Sequence, residues 1–173
     1  LAPEPLAGSA NNQGPIAAGA VSTGGADEAA IFAAVNRARI ANCVPIVTRN
    51  PAIDRVARNW SSQMATSGQF FHNPAVHDEI PAGSSGAGEN IAAGQRSGTL
   101  MFEAWMASPG HRANILRPTH TDLGIGFVRG GNSVYPTHGT QVFASYSQRQ
   151  EGVFLDVRPW SKFYREINWM GTQ

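Results

Sequence analysis

The stretch that most constrains this chain is residues 86–116, GAGENIAAGQRSGTLMFEAWMASPGHRANIL. It sets a carboxylate, Glu89, inside a glycine-rich turn, runs on through an almost charge-free segment, and reaches His111 beside a proline break. Between Leu100 and Met106 the single charge is Glu103, among Leu, Met, Phe, Ala and Trp. A helix apolar on nearly every side has to be covered by other layers of the domain. Glu89 and His111 are then expected at the two ends of a buried rod, where they either present chemistry or cap a core helix.

Helices flank that rod on the N-terminal side. Asp27 reads as the N-cap of a first helix over residues 28–41, with Ile31, Phe32, Val35 and Ala38 on its inward face. Asn50 followed by Pro51 opens a second helix running to Thr66, with Ile53, Val56, Ala57, Trp60 and Met64 on one stripe and Gly68 placed to end it. After the rod, Ser108-Pro109 starts a short helix to Leu116, and capping accounts for Ser108 better than a nucleophile role does. Residues 122–128, DLGIGFV, and 141–147, QVFASYS, alternate as strands around a GGNS turn, and the glycines of the first imply close approach of another backbone. Several helices followed by an antiparallel pair give a mixed α+β domain.

The two ends differ from the middle. Residues 1–26 carry one charge, Glu4, and hardly any large apolar side chain, so they read as a low-complexity arm. The domain then occupies 27–150. In the extension at 151–173, Val153 to Val157 reads as a further strand, and Trp160, Phe163, Tyr164 and Ile167 fall at one-faced helical spacing. Both ends are candidates for self-association. The chain begins with Leu rather than Met, so removal of a preceding segment is expected, whether by a signal peptidase or by cloning.

Composition narrows the function classes. Thirteen basic against twelve acidic residues leave no electrostatic footprint for nucleic acid. No run reaches the roughly 18 apolar residues of a membrane span. One cysteine, Cys43, excludes an internal disulfide framework and reads as a small buried hydrophobe. Low Lys with abundant Ala, Gly, Ser and Asn suits an exported protein. The titratable candidates are Glu89 and five histidines, His72, His77, His111, His120 and His138. No HExxH or CxxC pair is present, so any site is assembled from distant segments.

Four motifs then carry a resemblance: F-F-H ending at His72, G-A-G-E-N-I-A-A-G around Glu89, A-W-M-A-S-P-G-H-R-A-N-I-L around His111, and H-G-T-Q-V-F from His138. In this order they resemble the CAP superfamily of cysteine-rich secretory proteins, venom antigens and plant pathogenesis-related proteins, over residues 29–147. The S-P-G-H-R version is similar to that of bacterial members. The resemblance implies a three-layer α-β-α sandwich around a small antiparallel sheet, with a cleft of two histidines and two glutamates that in some members holds zinc or another divalent metal. By motif, His72 and His138 match the histidines and Glu89 the first glutamate. The second glutamate would fall at Ser108 and is missing, and His111 stands where it could take the vacated side. Metal candidates are therefore His72 and His138, with Glu89 and His111 beside them, and Ser108 and Asn90 line the cleft. His72, Glu89 and His138 are the residues a catalytic reading would use.

Three functions follow as expectations. The resemblance favours a secreted or cell-envelope binding module, non-catalytic, taking a small apolar ligand such as a lipid or a protein partner. A hydrolase, protease-like and dependent on the His/Glu cluster or its metal, is the alternative. A structural subunit of an extracellular assembly, joined through residues 1–26 and 151–173, is the third.

Overall fold

The computed structural model describes residues 19–147. In chain order they form β1 (Val21–Thr23), α1 (Gly25–Ala41), β2 (Thr48–Arg49), α2 (Pro51–Ser67), α3 (Val76–Glu79), β3 (Ser84–Ala93), α4 (Gly98–Ala107), α5 (Pro109–Ile115), β4 (Asp122–Gly130) and β5 (Thr137–Tyr146). The sheet runs β1-β4-β5-β3, with β2 also pairing β4 in parallel. The β1–β4, β4–β5 and β5–β3 pairs are antiparallel. β1 falls inside the stretch read as an arm; most of that arm and the aromatic extension lie outside the described residues.

Alternation along the strands sends side chains to two helical layers. Leu123, Ile125, Phe127 and Phe143 pack with Ile31 and Val35 of α1, Met101 and Trp105 of α4 and Ile115 of α5. On the other face Val142 and Ala144 meet Ile53, Val56 and Ala57 of α2, while Ile91 meets Trp60 and Met64. The result is the expected helix–sheet–helix sandwich. Gly124 and Gly126 explain how closely it closes: a Cβ on either would run into the α2 backbone at Ile53 or Ala57. The close approach inferred from those glycines is thus observed.

Several local expectations need correction. G-A-G-E-N-I-A-A-G is no turn but the middle and end of β3, because each residue from Gly86 to Ala93 finds a partner on β5. α4 is not buried all round. It hides Gly98, Met101 and Trp105 and leaves Leu100 48% exposed, since it lies on an outer layer with one side free. Asp27 is not the N-cap; α1 starts earlier, at Gly25, and Asp27 accepts instead from the Gly98 amide (2.7 Å) and from Arg129 (2.7 Å). Ser108 occupies the N-cap position of α5 without a side-chain capping bond. Cys43 is exposed in a left-handed turn, φ 56°, rather than buried.

The outer margin of β4 is served in three parts. β2 pairs with Asp122 and Leu123, and β1 pairs with Val128, Arg129 and Gly130. Between them, the Ile125 amide donates to Asp54 of α2 (2.8 Å) and the Phe127 amide to Glu28 of α1 (3.4 Å). Glu28 is fully buried and Asp54 is 5% exposed. Arg49 contacts both carboxylates, at 2.8 and 3.0 Å, and Arg58 adds a second guanidinium to Glu28. Removing one member of such a buried set leaves uncompensated charge. Glu28→Ala is therefore expected to lower unfolding free energy by about 3 kcal/mol or more, measured by denaturant titration; a loss within the range of an ordinary surface substitution would refute this account of the β4 margin.

Candidate functional site

β3 is the last strand on the side of the sheet opposite β1, and the candidate residues gather on it. Glu89 pairs with Val142 and shares its α2-side face. Its Oε1 lies 2.6 Å from His72 Nδ1 and accepts the Asn73 amide at 3.0 Å. Asn73 is itself anchored, donating to Glu79 (2.9 Å) and accepting from the Ala75 amide (2.9 Å), which fixes the loop that carries His72. The Glu89 side chain is 5% exposed and the His72 side chain 62%. Glu89 Oε2 is buried with no partner among the described residues.

Burial pushes the Glu89 carboxyl above its ordinary range, against the Asn73 amide and the His72 contact, which pull it down; the neighbouring Glu79 carboxylate adds a small upward push. With Glu89 ionised, the short contact places the imidazole proton on Nδ1 and leaves Nε2 as an acceptor. The arrangement is an exposed imidazole oriented from behind by a buried carboxylate.

Asn90, one residue on, leaves the strand on the other face and is fully buried. Its Nδ2 donates to the His111 carbonyl (3.1 Å) and to Gln141 Oε1 (3.0 Å), and its Oδ1 accepts from Asn114 Nδ2 (2.9 Å). Asn114 also donates to the Glu89 carbonyl at 3.1 Å. These bonds hold α5 against β3. His111, partly buried, is pushed below the usual histidine range first by burial and then by the charge of His72. The segments that carry His72 and His111 are thus held to opposite faces of β3.

His138 does not join them. It pairs with Ala93, four residues along β5 from Val142, so roughly 13 Å of strand separates it from Glu89. It is fully buried, its ring edge faces Tyr135 at 6.3 Å, and both ring nitrogens lack partners among the described residues. Burial pushes its pKa down. Among the described residues no three His, Cys, Asp or Glu side chains gather closely enough to hold a metal ion. A catalytic zinc site takes three protein ligands and a structural one four, whereas the β3 margin supplies the His72–Glu89 pair. The donor set does not fit a resident metal centre, and matching by motif order could not see this, because strand register decides it. Asn90 likewise sits in the α5-side network rather than beside His72. Ser108 lies half-buried at the α4–α5 junction, and His77 is exposed on α3.

The residues that sequence reasoning passed over are amides: Asn73, Asn114 and Gln141. Gln141 carried a usable signal, since it shares an inward face with Phe143, and a polar residue at a core-facing strand position requires a partner. His120 is a further buried histidine. Its ring stacks on Phe143 at 5.1 Å, and Nδ1 lies 3.2 Å from Ser145 Oγ. Burial, then the Arg117 and Arg39 charges, lower its pKa from 6.5 to about 4. The fold thus excludes the proton that the unfolded chain takes up. The resulting stability is complete above about 6.5, falls as pH drops toward about 4, and levels off below. The gap in unfolding free energy between wild type and His120→Asn is expected to narrow over that window; a pH-independent gap would contradict the assignment.

Comparison with known proteins follows the same lines. The curated relative YkwD of Bacillus subtilis (strain 168), an uncharacterized protein, is 52% identical over 46 residues, which are 27% of this chain and 18% of its own length. An extracellular SCP-domain protein from Bacillus anthracis superposes with a TM-score of 0.59 at 28% identity, covering 69% of this chain and 40% of that one. An outer surface protein of Borrelia burgdorferi has the same fold, with a TM-score of 0.66 at 12% identity over 74% of this chain and 98% of its own. This chain thus spans under half the length of the two Bacillus proteins. The model of the cysteine-rich secretory protein family matches residues 32–144, most of the chain, and the protein belongs to that CAP family.

Proposed function

We propose that this is an extracellular CAP-domain recognition module whose contact point is the His72 imidazole held by Glu89. One observation carries the reading: a buried carboxylate 2.6 Å behind an exposed ring. The structural neighbour from Bacillus anthracis is described as extracellular and that from Borrelia burgdorferi as an outer surface protein, which supports an extracellular or cell-envelope setting. A Glu-held imidazole presents Nε2 as an acceptor, suited to a ligand group that brings a donor: a hydroxyl, an amide or an ammonium. A hydroxyl-bearing lipid and a polypeptide surface both qualify. Acyl-transfer chemistry needs more, namely a nucleophile on the base and donors placed for an oxyanion. Among the described residues no hydroxyl or thiol is hydrogen-bonded to His72, so binding is favoured over hydrolysis.

The test reads the His72 ring by NMR in the wild-type protein and in Glu89→Gln. Phosphatidylcholine vesicles with and without cholesterol form the lipid arm, Zn²⁺ forms the metal arm, and labelled casein reports proteolysis. The expected outcome is a His72 shift with cholesterol-containing vesicles that weakens in Glu89→Gln, only weak Zn²⁺ binding, and no casein cleavage. Casein turnover abolished by His72→Ala would replace the binding reading with a hydrolase. Tight stoichiometric Zn²⁺ binding would restore a metal centre.

A further inference from the structure

The turn between β4 and β5 is fixed to the C-terminal end of α2. The Asn132 and Ser133 amides both donate to the Ala65 carbonyl, at 2.8 and 3.0 Å, and Asn132 Nδ2 donates to the Thr66 carbonyl at 3.2 Å. On its other side the Tyr135 ring lies over Gly94 at the exit of β3, where a Cβ would stand 3.4 Å from the ring. The turn is therefore anchored, yet it holds apolar side chains out to solvent. Val134 is 90% exposed and Tyr135 46%. Phe70, two residues past the Gly68 cap of α2, is 49% exposed, while its neighbour Phe71 packs on Trp60.

Charge is distributed unevenly around this point. The sequence holds no Asp or Glu between Asp54 and Asp78, between Glu89 and Glu103, or between Asp122 and Glu151. At the base of the turn, Arg96 and Arg129 line a hollow of about 450 Å³ together with Gly130, Pro136 and Thr137. Arg129 is answered by Asp27 at 2.7 Å, whereas the exposed Arg96 side chain has no partner among the described residues. An apolar point above an unanswered cation complements an anionic lipid surface. It suits a protein partner less well. Phe and Tyr each offer about 150–250 Å² and Val less, which falls short of the roughly 800 Å² per partner of a stable protein interface.

We propose that this end of the sandwich is a bilayer-docking tip: Val134, Tyr135 and Phe70 enter the interfacial layer of an anionic phospholipid membrane, and Arg96 meets lipid phosphate. Tyrosine suits that depth, with its ring among the acyl chains and its hydroxyl among the headgroups. Because the turn is held by hydrogen bonds to α2, it is ordered before it meets the membrane, which lowers the cost of docking. The tip uses neither His72 nor Glu89 and does not depend on their role.

The test is co-sedimentation of the full chain with phosphatidylcholine vesicles, with and without phosphatidylglycerol and free of sterol. Wild type is expected to partition onto the phosphatidylglycerol vesicles. Val134→Asp and Tyr135→Asp are expected to lower that partition at least about tenfold, and Arg96→Gln roughly fivefold on the anionic vesicles alone. Ile40→Asp, at an equally exposed apolar position on α1, is the control and is expected to change nothing. A nitroxide on the acyl chain is expected to broaden the Val134 methyl and Tyr135 ring signals before others. Absence of partition, partition unchanged in Val134→Asp, or an equal loss in Ile40→Asp would each overturn the proposal. So would concentration-dependent self-association in light scattering that Val134→Asp abolishes, which would make the tip an interface between copies. With sterol absent and His72 intact throughout, failure here leaves the His72 binding reading untouched.

Discussion

The sandwich depends on two carboxylates that complete a strand. β4 has short partners at both ends of its outer margin and none between, and a buried amide without an acceptor is costly. Glu28 and Asp54 supply those acceptors from helices on opposite faces. Each is itself expensive to bury, and the Arg49 and Arg58 guanidinium groups offset that cost with charge-assisted bonds. One ionic cluster therefore fixes α1 and α2 relative to the same strand. Gly124 and Gly126 then let α2 settle directly on the β4 backbone. The register of the sheet follows from β4, and β3 lies at its far margin.

At that margin the chemistry is built by alternation. A carboxylate faces one layer and an amide the other, and each holds the segment that carries a histidine. α5 is secured at both ends. Asn90 holds its first turn through the His111 carbonyl and Asn114 ties its last turn to β3, while the buried Arg39 reaches the carbonyls of Ile115 (2.8 Å) and Arg117 (3.1 Å) at its end, and of His120 (3.0 Å) and Pro45 (2.6 Å). No carboxylate answers that guanidinium among its described bonds, and burial brings its pKa down to about 10. Four carbonyl dipoles take the place of a counter-ion at a helix C-terminus, where the macrodipole favours a cation. A seven-residue helix, too short to persist alone, is in this way rigid enough to hold His111.

Much of this was legible in the sequence, and the rest was hidden for definite reasons. The α2 stripe, its Asn50 cap and the Gly68 stop were readable because they are local, and all three are observed. Asn36 was ambiguous, because a mid-helix asparagine usually bonds locally and only sometimes positions a distant loop; here it makes a pair of bonds with the Val47 backbone, at 3.0 and 2.9 Å. The strand at β3 was not, because glycines and small residues hide alternation and its partner is about fifty residues away. The pairing of Glu89 with His72 came from motif order. The displacement of His138 could not, since a histidine and a glutamate on paired strands are neighbours or strangers according to a register that neither motif encodes. Arg39, Asn114 and Gln141 escaped notice because their partners are mainly backbone carbonyls and other amides, which leave no pattern in the sequence.

Separation of the histidines changes what the margin can do. A metal centre needs ligands that converge, and convergence asks the fold to deliver three or four side chains to one point. The β3 margin is organised differently: the costly element, an ionisable carboxylate, is placed inside at 5% exposure, and the adaptable element, an imidazole, is placed outside at 62%. The fold bears the desolvation of Glu89, and the surface gains a ring held from behind by a hydrogen bond. A side chain held in place before any ligand arrives lowers the ordering cost of binding. His138 illustrates the opposite arrangement: a ring fully buried, pushed toward neutrality and remote from Glu89. Two histidines that share a family motif set thus take opposite roles, one in the interior and one at the surface, and the difference is four residues of strand.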